Sequence, residues 1–269
     1  TATTGLPVDP SFSATKLELL LGDSKLAARV REGTVLAGTM DTWLIWKLTG
    51  GRVHATDPTN ASRTLLFDIG KREWSDELCD LFHVSRSVLP EVRASSGDFG
   101  TADAKYFERE IPICGVAGDQ QAALFGQGCF FAGEGKNTYG TGAFLLLNTG
   151  DARPEPGDGI LTTVACNGRG GYAYALEGSI FIAGAAVQWL RDGLQIIDNA
   201  SETEALAASL DSNDGVYFVP ALTGLGAPHW EPAARGTITG LTRGTSRAHR
   251  GRAGLEAMAY GTAEILCAM

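Results

Sequence analysis

Ile111-Pro112-Ile113-Cys114-Gly115-Val116-Ala117-Gly118-Asp119-Gln120-Gln121-Ala122-Ala123-Leu124-Phe125 decides the fold class. The first half is short, apolar and ends in small residues, as a buried strand does. The second half is a run of helix formers without Gly or Pro. A strand that turns directly into a helix is the unit of α/β folds. Asp119 stands at that turn, where such folds present functional side chains.

Outward from this stretch the same mixture recurs. Upstream, Ser13 to Arg31 reads as a helix with Leu17, Leu20 and Leu21 on one buried face. Asp41 to Leu48, with Trp43 and Trp46, reads as a second helix stopped by Gly50-Gly51. Val53 to Asp68 reads as loop and short strand, and Trp74 to Phe82 as another short helix. Downstream, Asn137 to Leu147 reads as strand, tight turn and strand about Gly140-Thr141-Gly142. Pro154 to Gly159 reads as a loop. Helices are expected at Gly184 to Leu194 and Glu202 to Leu210, a strand at Val216 to Val219, and a loop at Thr223 to Trp230. The change of character sets a domain boundary near residue 128, giving domains 1–127 and 128–269. Leu255 to Met269 is helical without a closing Gly or Pro, and the first residue is Thr1, so the chain is expected to be cut from something longer.

The 269 residues suffice for one large or two medium domains. With 44% hydrophobic and 20% charged residues, the composition is that of a globular protein rather than a disordered one. A net charge of −9 argues against nucleic acid and acidic membrane surfaces as partners. The one dense basic cluster, Arg243, Arg247, Arg250 and Arg252, fits a solvated helix start. Cys79, Cys114, Cys129, Cys166 and Cys267 are odd in number and widely spaced, which points to buried free thiols in a reducing compartment. No apolar run is long enough for a membrane span, and the default location is the cytoplasm.

Asp119 is the sharpest chemical candidate. A carboxylate there can take a proton from an attacking hydroxyl or help to hold Mg²⁺. Asp is also a favoured helix N-cap, and from the residues alone the cap role carries more weight. Gly140-Thr141-Gly142 could bring backbone amides and a hydroxyl to a phosphate, although a lone G-T-G is also an ordinary hairpin turn. Gly178, Gly184 and Gln188 could admit a nucleotide base and supply an amide, or simply pack a helix. The loop Thr223 to Trp230 could bind a ligand through its exposed-looking aromatic, or be turn chemistry alone. Neither a G-x-x-x-x-G-K-[ST] loop nor a strand–G-x-G-x-x-G–helix unit is present.

Five strings carry a resemblance. They are Asp41-Thr42-Trp43-Leu44-Ile45-Trp46-Lys47-Leu48-Thr49-Gly50-Gly51, Thr59-Asn60-Ala61-Ser62-Arg63-Thr64, Gly118 to Gly126, Lys136 to Gly142, and Thr223-Gly224-Leu225-Gly226-Ala227-Pro228. In order and over essentially the whole chain, they resemble the glycerol kinases of the FGGY carbohydrate kinase family. The resemblance implies an α/β, actin-like ATPase fold of two ribonuclease H-like domains, incomplete here. The chain would hold the end of the first, substrate-side domain and the start of the second, nucleotide-side domain. It also implies that Asp119 is the base for a terminal glycerol hydroxyl, with Gln120 and Phe144 on glycerol. Gly140 and Thr141 would meet the phosphates of ATP, Gly184 and Gln188 the nucleotide. Mg²⁺ would neutralise the phosphates, with Asp119 reaching it through water.

The departures are specific. Ser11 stands where the family has a glycerol-touching Tyr, which would enlarge the pocket or admit a larger polyol. Leu19 stands for a Trp. Arg250 and Gly254 depart from the family's second signature, and Gly251, Gly254 and Gly261 should weaken their helix at about 1 kcal/mol each. Arg109-Glu110 replaces the glycine-rich loop that binds fructose 1,6-bisphosphate in many bacterial members, so such inhibition is not expected. The family's N-terminal phosphate loop should precede Thr1 and the rest of its adenine site should follow Met269, so this chain alone is expected to be nearly inactive. The resemblance implies a homo-oligomer when complete. The alternatives are another FGGY polyol or sugar kinase, and a non-catalytic truncated nucleotide-binding pseudo-kinase.

Overall fold

The computed structural model describes residues 1–155, 157, 159–167 and 171–269. The expected loop Pro154 to Gly159 therefore falls partly outside the described residues. The chain separates into two compact units. The first is built mainly from Thr1–Gly135 with Leu161–Leu176, the second from Lys136–Leu146 with Glu177–Met269.

In the first unit α1 (Ala14–Leu21) and α2 (Ser24–Arg31) replace the single expected helix. Gly22 closes α1, and the Asp23 carboxylate then accepts from the N–H groups of Lys25 and Leu26, starting a new helix. Leu21 is buried but Leu20 is exposed, so the apolar face is narrower than its leucines imply. Next come α3 (Met40–Leu48), β1 (Ala55–Thr56), α4 (Pro58–Ala61), β2 (Phe67–Asp68), β3 (Glu73–Trp74), α5 (Asp76–Leu81), β4 (Glu91–Val92), β5 (Thr101–Ala102), α6 (Ala104–Phe107), β6 (Ile111–Pro112) and α7 (Asp119–Gly126). Gly50 and Gly51 stop α3 with φ of 63° and 82°, conformations that only glycine adopts freely.

The expected strand Ile111 to Gly118 is regular only over β6. Pro112 has no N–H to give a ladder, and Gly100, at φ 87°, bends the facing segment. Pairing continues irregularly all the same. Ile113 donates to the Gly100 carbonyl at 2.8 Å, and Val116 to that of Ser95 at 2.9 Å. Ile45, Ala55 and Phe99 form the buried core beneath, with Ile113 and Val116 against it.

The second half of the chain adds β7 (Gly135–Tyr139), β8 (Ala143–Gly150), β9 (Leu161–Cys166) and β10 (Tyr172–Ile180), ordered β7-β8-β10-β9 in one sheet. The Gly140-Thr141-Gly142 turn thus joins two neighbouring strands, as a hairpin should. Then follow α8 (Gly184–Asp192), α9 (Glu202–Ala208), β11 (Tyr217–Val219), β12 (Thr237–Thr239) and α10 (Arg247–Ala268). Ile182, Ala186, Val216, Phe218 and Ala253 make one core cluster of the second unit, and Val187, Leu190 and Ile197 another. The glycines of α10 lie where neighbours come close. A Cβ on Gly254 would meet Leu190 Cδ1 at 2.7 Å, and one on Gly261 would meet Ile180 Cδ1 at 3.3 Å. Packing thereby offsets the weak helix propensity expected there. Among the described residues no helix is long and apolar enough to cross a membrane. Of the five cysteines, Cys79 and Cys129 are buried as expected, while Cys166 is half-buried and Cys114 and Cys267 are exposed.

Candidate active site

In the first unit Asp119 is the first residue of α7, and the N-cap is Gly118. The cap reading of Asp119 is thereby corrected, since the carboxylate stands one position inside the helix. It is exposed, and its Oδ1 accepts from the Gln120 N–H at 2.9 Å, while Gln120 Nε2 donates to Oδ2 at 3.3 Å. A carboxylate in a first helical turn sits where free N–H groups favour negative charge.

Residues remote in sequence fix this turn. The Gly118 N–H donates to Thr59 Oγ1 at 2.7 Å, and the Thr59 hydroxyl donates to Asp57 Oδ2 at 2.7 Å. Asp57 caps α4, with Pro58 following it at the first helical position. A second line runs through Gln121, whose Nε2 donates to Thr163 Oγ1 at 3.0 Å, and Ser62 Oγ lies 3.2 Å from that same hydroxyl. Leu124 closes the buried side of α7. Beside this turn Ser95, Val116, Ala117, Ala122, Phe125 and Cys166 line a cavity of about 550 Å³. Burial pushes the Cys166 thiol up, a hydrogen bond with Ser95 opposes this, and the nearby Asp57 charge adds to the rise.

Ser11 is exposed on the turn before α1, where its N–H donates to Asp9 Oδ1 at 2.7 Å and its carbonyl accepts from Lys16 Nζ at 3.1 Å. Phe144 belongs to the second unit. It is half-buried in β8, and its carbonyl accepts from Lys136 Nζ at 3.1 Å.

Also in the second unit, Gly140, Thr141, Gly184 and Gln188 line one cavity of about 350 Å³. That volume lies within the usual range for small-molecule sites. The turn's carbonyls, rather than its amides, hold the frame. The N–H of Gly184 donates to the Gly140 carbonyl at 2.9 Å, and those of Ala183 and Ala185 to the Thr141 carbonyl at 2.8 and 3.1 Å. The first N–H groups of α8 are thus satisfied by the hairpin turn. Glycine is demanded by this close approach. A Cβ on Gly142 would lie 2.3 Å from the Ile180 carbonyl oxygen, and one on Gly184 2.5 Å from that of Gly140. Gly178 has the same explanation, because its Cβ would lie 2.3 Å from Ile265.

Val187, Arg191, Ala200 and Thr203 complete the cavity wall and were not foreseen. Arg191 lies three residues beyond Gln188 and so on the same helical face, a signal the spacing carries. Its guanidinium pairs with Asp192 at 2.7 and 2.9 Å. The loop at Thr223 to Trp230 is built as a packed turn. Trp230 is half-buried, donates from Nε1 to the Gly159 carbonyl at 2.6 Å and meets Phe181 edge to face. The exposed aromatic expected there is absent.

Two family models divide the chain between them. The N-terminal domain model of the FGGY family of carbohydrate kinases matches residues 1–126, and the C-terminal domain model matches residues 135–269. The glycerol kinase of Brevibacillus brevis is 56% identical over 267 residues, covering 99% of this chain and 54% of its own length. The crystal structure of Plasmodium falciparum glycerol kinase with ADP superposes with a TM-score of 0.89 at 41% identity, over 99% of this chain and 54% of that one. A xyloylose kinase from Brucella ovis superposes with a TM-score of 0.85 at 25% identity, again over 99% and 54%. The chain spans about half the length of the curated relatives it matches. Its α/β fold is of the actin-like ATPase class that these kinases share.

Proposed function

The chain belongs to the FGGY family of carbohydrate kinases, and from that membership we propose that the complete protein transfers the terminal phosphoryl group of ATP to glycerol, giving sn-glycerol 3-phosphate. The observation that carries the substrate is the 56% identity, across nearly the whole chain, to a relative named glycerol kinase. Residues 1–127 are then the closing part of the substrate-side domain, and 128–269 the opening part of the nucleotide-side domain.

In this reading the exposed Asp119 carboxylate accepts the proton of a terminal glycerol hydroxyl as its oxygen attacks the γ-phosphorus in line. Gln120 hydrogen-bonds glycerol, and Phe144 and Ser11 are further substrate-binding residues. Gly140 and Thr141 meet the phosphates, and Gly184 and Gln188 the remainder of the nucleotide. Bound Mg²⁺ would supply charge neutralisation at the phosphates, and Asp119 would be the residue to help hold it through water. Among the described residues no cluster of three or more His, Cys, Asp or Glu side chains could hold an ion by itself, which fits a metal carried by phosphate oxygens. The reading further places the protein in the cytoplasm as a homo-oligomer.

Glycerol-dependent ADP release by the complete protein tests this, beside Asp119→Ala. Turnover that vanishes in the variant is expected. Silence with glycerol in the complete protein would overturn the assignment. The resemblance leaves a second reading: it implies a Tyr where Ser11 stands, and the smaller side chain would leave room for a longer polyol or a pentulose. A panel of polyols and sugars separates the two by the ratio of kcat/KM values.

A further inference from the structure

The start of α7 has no cap of its own. Gly118 is the N-cap and offers no side chain, and its φ of −61° and ψ of 148° are open to any residue. Glycine is needed there because Gln121 folds back, its Oε1 lying 2.5 Å from where a Cβ would be. Local sequence therefore does not define the direction in which the helix begins, nor that of the carboxylate on its first residue.

What defines it is a buried polar network. Asp57 is fully buried, and its two oxygens accept from Thr59 N, Thr59 Oγ1, Asn60 N, Asn60 Nδ2 and Ser95 Oγ at 2.6–3.2 Å. A buried carboxylate is tolerated only when its acceptors are filled in this way. Thr59, also fully buried, is the link. One hydroxyl gives its proton to Asp57 and accepts the Gly118 N–H, so its orientation has no freedom left. Ser62, Thr163 and Gln121, all buried, form the parallel tether. A four-residue helix needs a cap, but capping α4 requires neither the Thr59 hydroxyl nor its reach to a residue 59 positions away.

We propose that Thr59, oriented by Asp57, is a positioning residue for phosphoryl transfer: it fixes the Gly118–Asp119 peptide and thereby aims the Asp119 carboxylate at the substrate hydroxyl. This rests on the reading of Asp119 as the base. Geometry at such a group is worth much, since a misplacement of about 1 Å can cost on the order of 100-fold in rate.

The test uses the complete protein and five variants. Thr59→Val keeps the shape and removes both hydrogen bonds. It is expected to lower kcat by about 10- to 100-fold, with KM for ATP unchanged, because the nucleotide cavity does not involve Thr59. Thr59→Ser keeps the hydroxyl and is expected to restore kcat. In the Asp119→Ala background Thr59→Val should cost nothing more, since it acts through Asp119. Undiminished kcat in Thr59→Val, failure of Thr59→Ser to restore it, or an equal further loss in the double variant would each overturn the positioning role. Should Thr59→Val fail to fold, Gln121→Met cuts the parallel tether. A several-fold fall in kcat at unchanged KM supports the proposal, and unchanged kcat overturns it. Full turnover in Asp119→Ala alone would instead remove the base reading, so the two failures are distinguishable.

Discussion

Two turns carry the candidate chemistry, and they are built by opposite means. The turn at Gly118 and Asp119 is held by side chains: the Thr59 hydroxyl, the Asp57 carboxylate and the Gln121 amide, all buried. The turn at Gly140-Thr141-Gly142 is held by backbone, its carbonyls taking the first N–H groups of α8 and its glycines letting the chains close in. The difference follows from what each turn presents. A proton acceptor must be aimed, so its peptide is fixed by directional bonds. A wall for a bulky ligand must be placed, so backbone meets backbone and any Cβ is excluded.

The comparison breaks first at Asp119. In the complete protein Asp119→Ala should lower kcat by about 10²- to 10⁴-fold, the usual worth of a positioned acid or base. Its melting temperature should hardly move, because the side chain is exposed and, among the described residues, bonded only to its neighbour Gln120. A comparable loss of stability would mean that Asp119 belongs to the frame and is not what the frame presents.

Gly142→Ala should do the reverse. The new methyl would stand 2.3 Å from a carbonyl oxygen that is itself part of the backbone, so strand and turn must shift. A destabilisation of about 1–3 kcal/mol is expected, as for other overpacked sites. KM for ATP should rise with it. Thermal unfolding and steady-state kinetics on one preparation check both. An unchanged melting temperature would show that this backbone yields easily and that the contrast is overdrawn.

How much of this was legible in the sequence depends on how far apart the determinants lie. The helix from Asp119 and the hairpin at Gly140 to Gly142 are local patterns and both are present, whereas the strand expected before Asp119 is regular only over Ile111–Pro112. Gly140, Thr141, Gly184 and Gln188, chosen by resemblance, do line one cavity, joined by Arg191 from the same helical face. The division of α1 from α2 was signalled by Gly22-Asp23, but the leucine spacing overrode it. The N-cap of α7 was misread because Asp is the better local cap, whereas Thr59, 59 residues away, makes Gly118 the boundary. Trp230 looks exposed in the sequence because its loop is rich in Gly and Pro, and only the fold brings the Gly159 carbonyl to its indole. Long-range hydrogen bonds leave no period in a sequence.

A smaller effect sharpens the nucleotide side. Gln188 lines the cavity from α8, while Val187 and Leu190 carry the buried face of that helix. Gln188→Ala should therefore weaken ATP about fivefold, or roughly 1 kcal/mol, the worth of one ordinary hydrogen bond. Stability and the KM for glycerol should stay as they were. Isothermal titration with ADP reads the change directly, and an unchanged affinity would take Gln188 out of the site.

The smallest effect concerns a third region, which has side-chain bonds like the Asp119 turn but lacks its burial. At the start of α10 the Ser246 N–H donates to His249 Nδ1 at 3.1 Å, and His249 Nε2 lies 3.1 Å from Asp214 Oδ2. The Ser212 hydroxyl, and after it His249, holds the Asp214 carboxyl below its ordinary range. A carboxyl depressed in the folded state adds stability above its unfolded pKa, and that stability is lost as pH falls through the folded value. The window therefore opens near pH 4, the ordinary Asp value, and extends downward. Yet the Asp214 side chain is 70% exposed, and water competes for every bond it makes. The wild type should keep a small, constant advantage in melting temperature over Asp214→Asn above pH 6, and that advantage should shrink between pH 5 and pH 3. A large difference would mean that exposed networks hold their elements as firmly as buried ones, and burial would then not be what distinguishes the Asp119 turn.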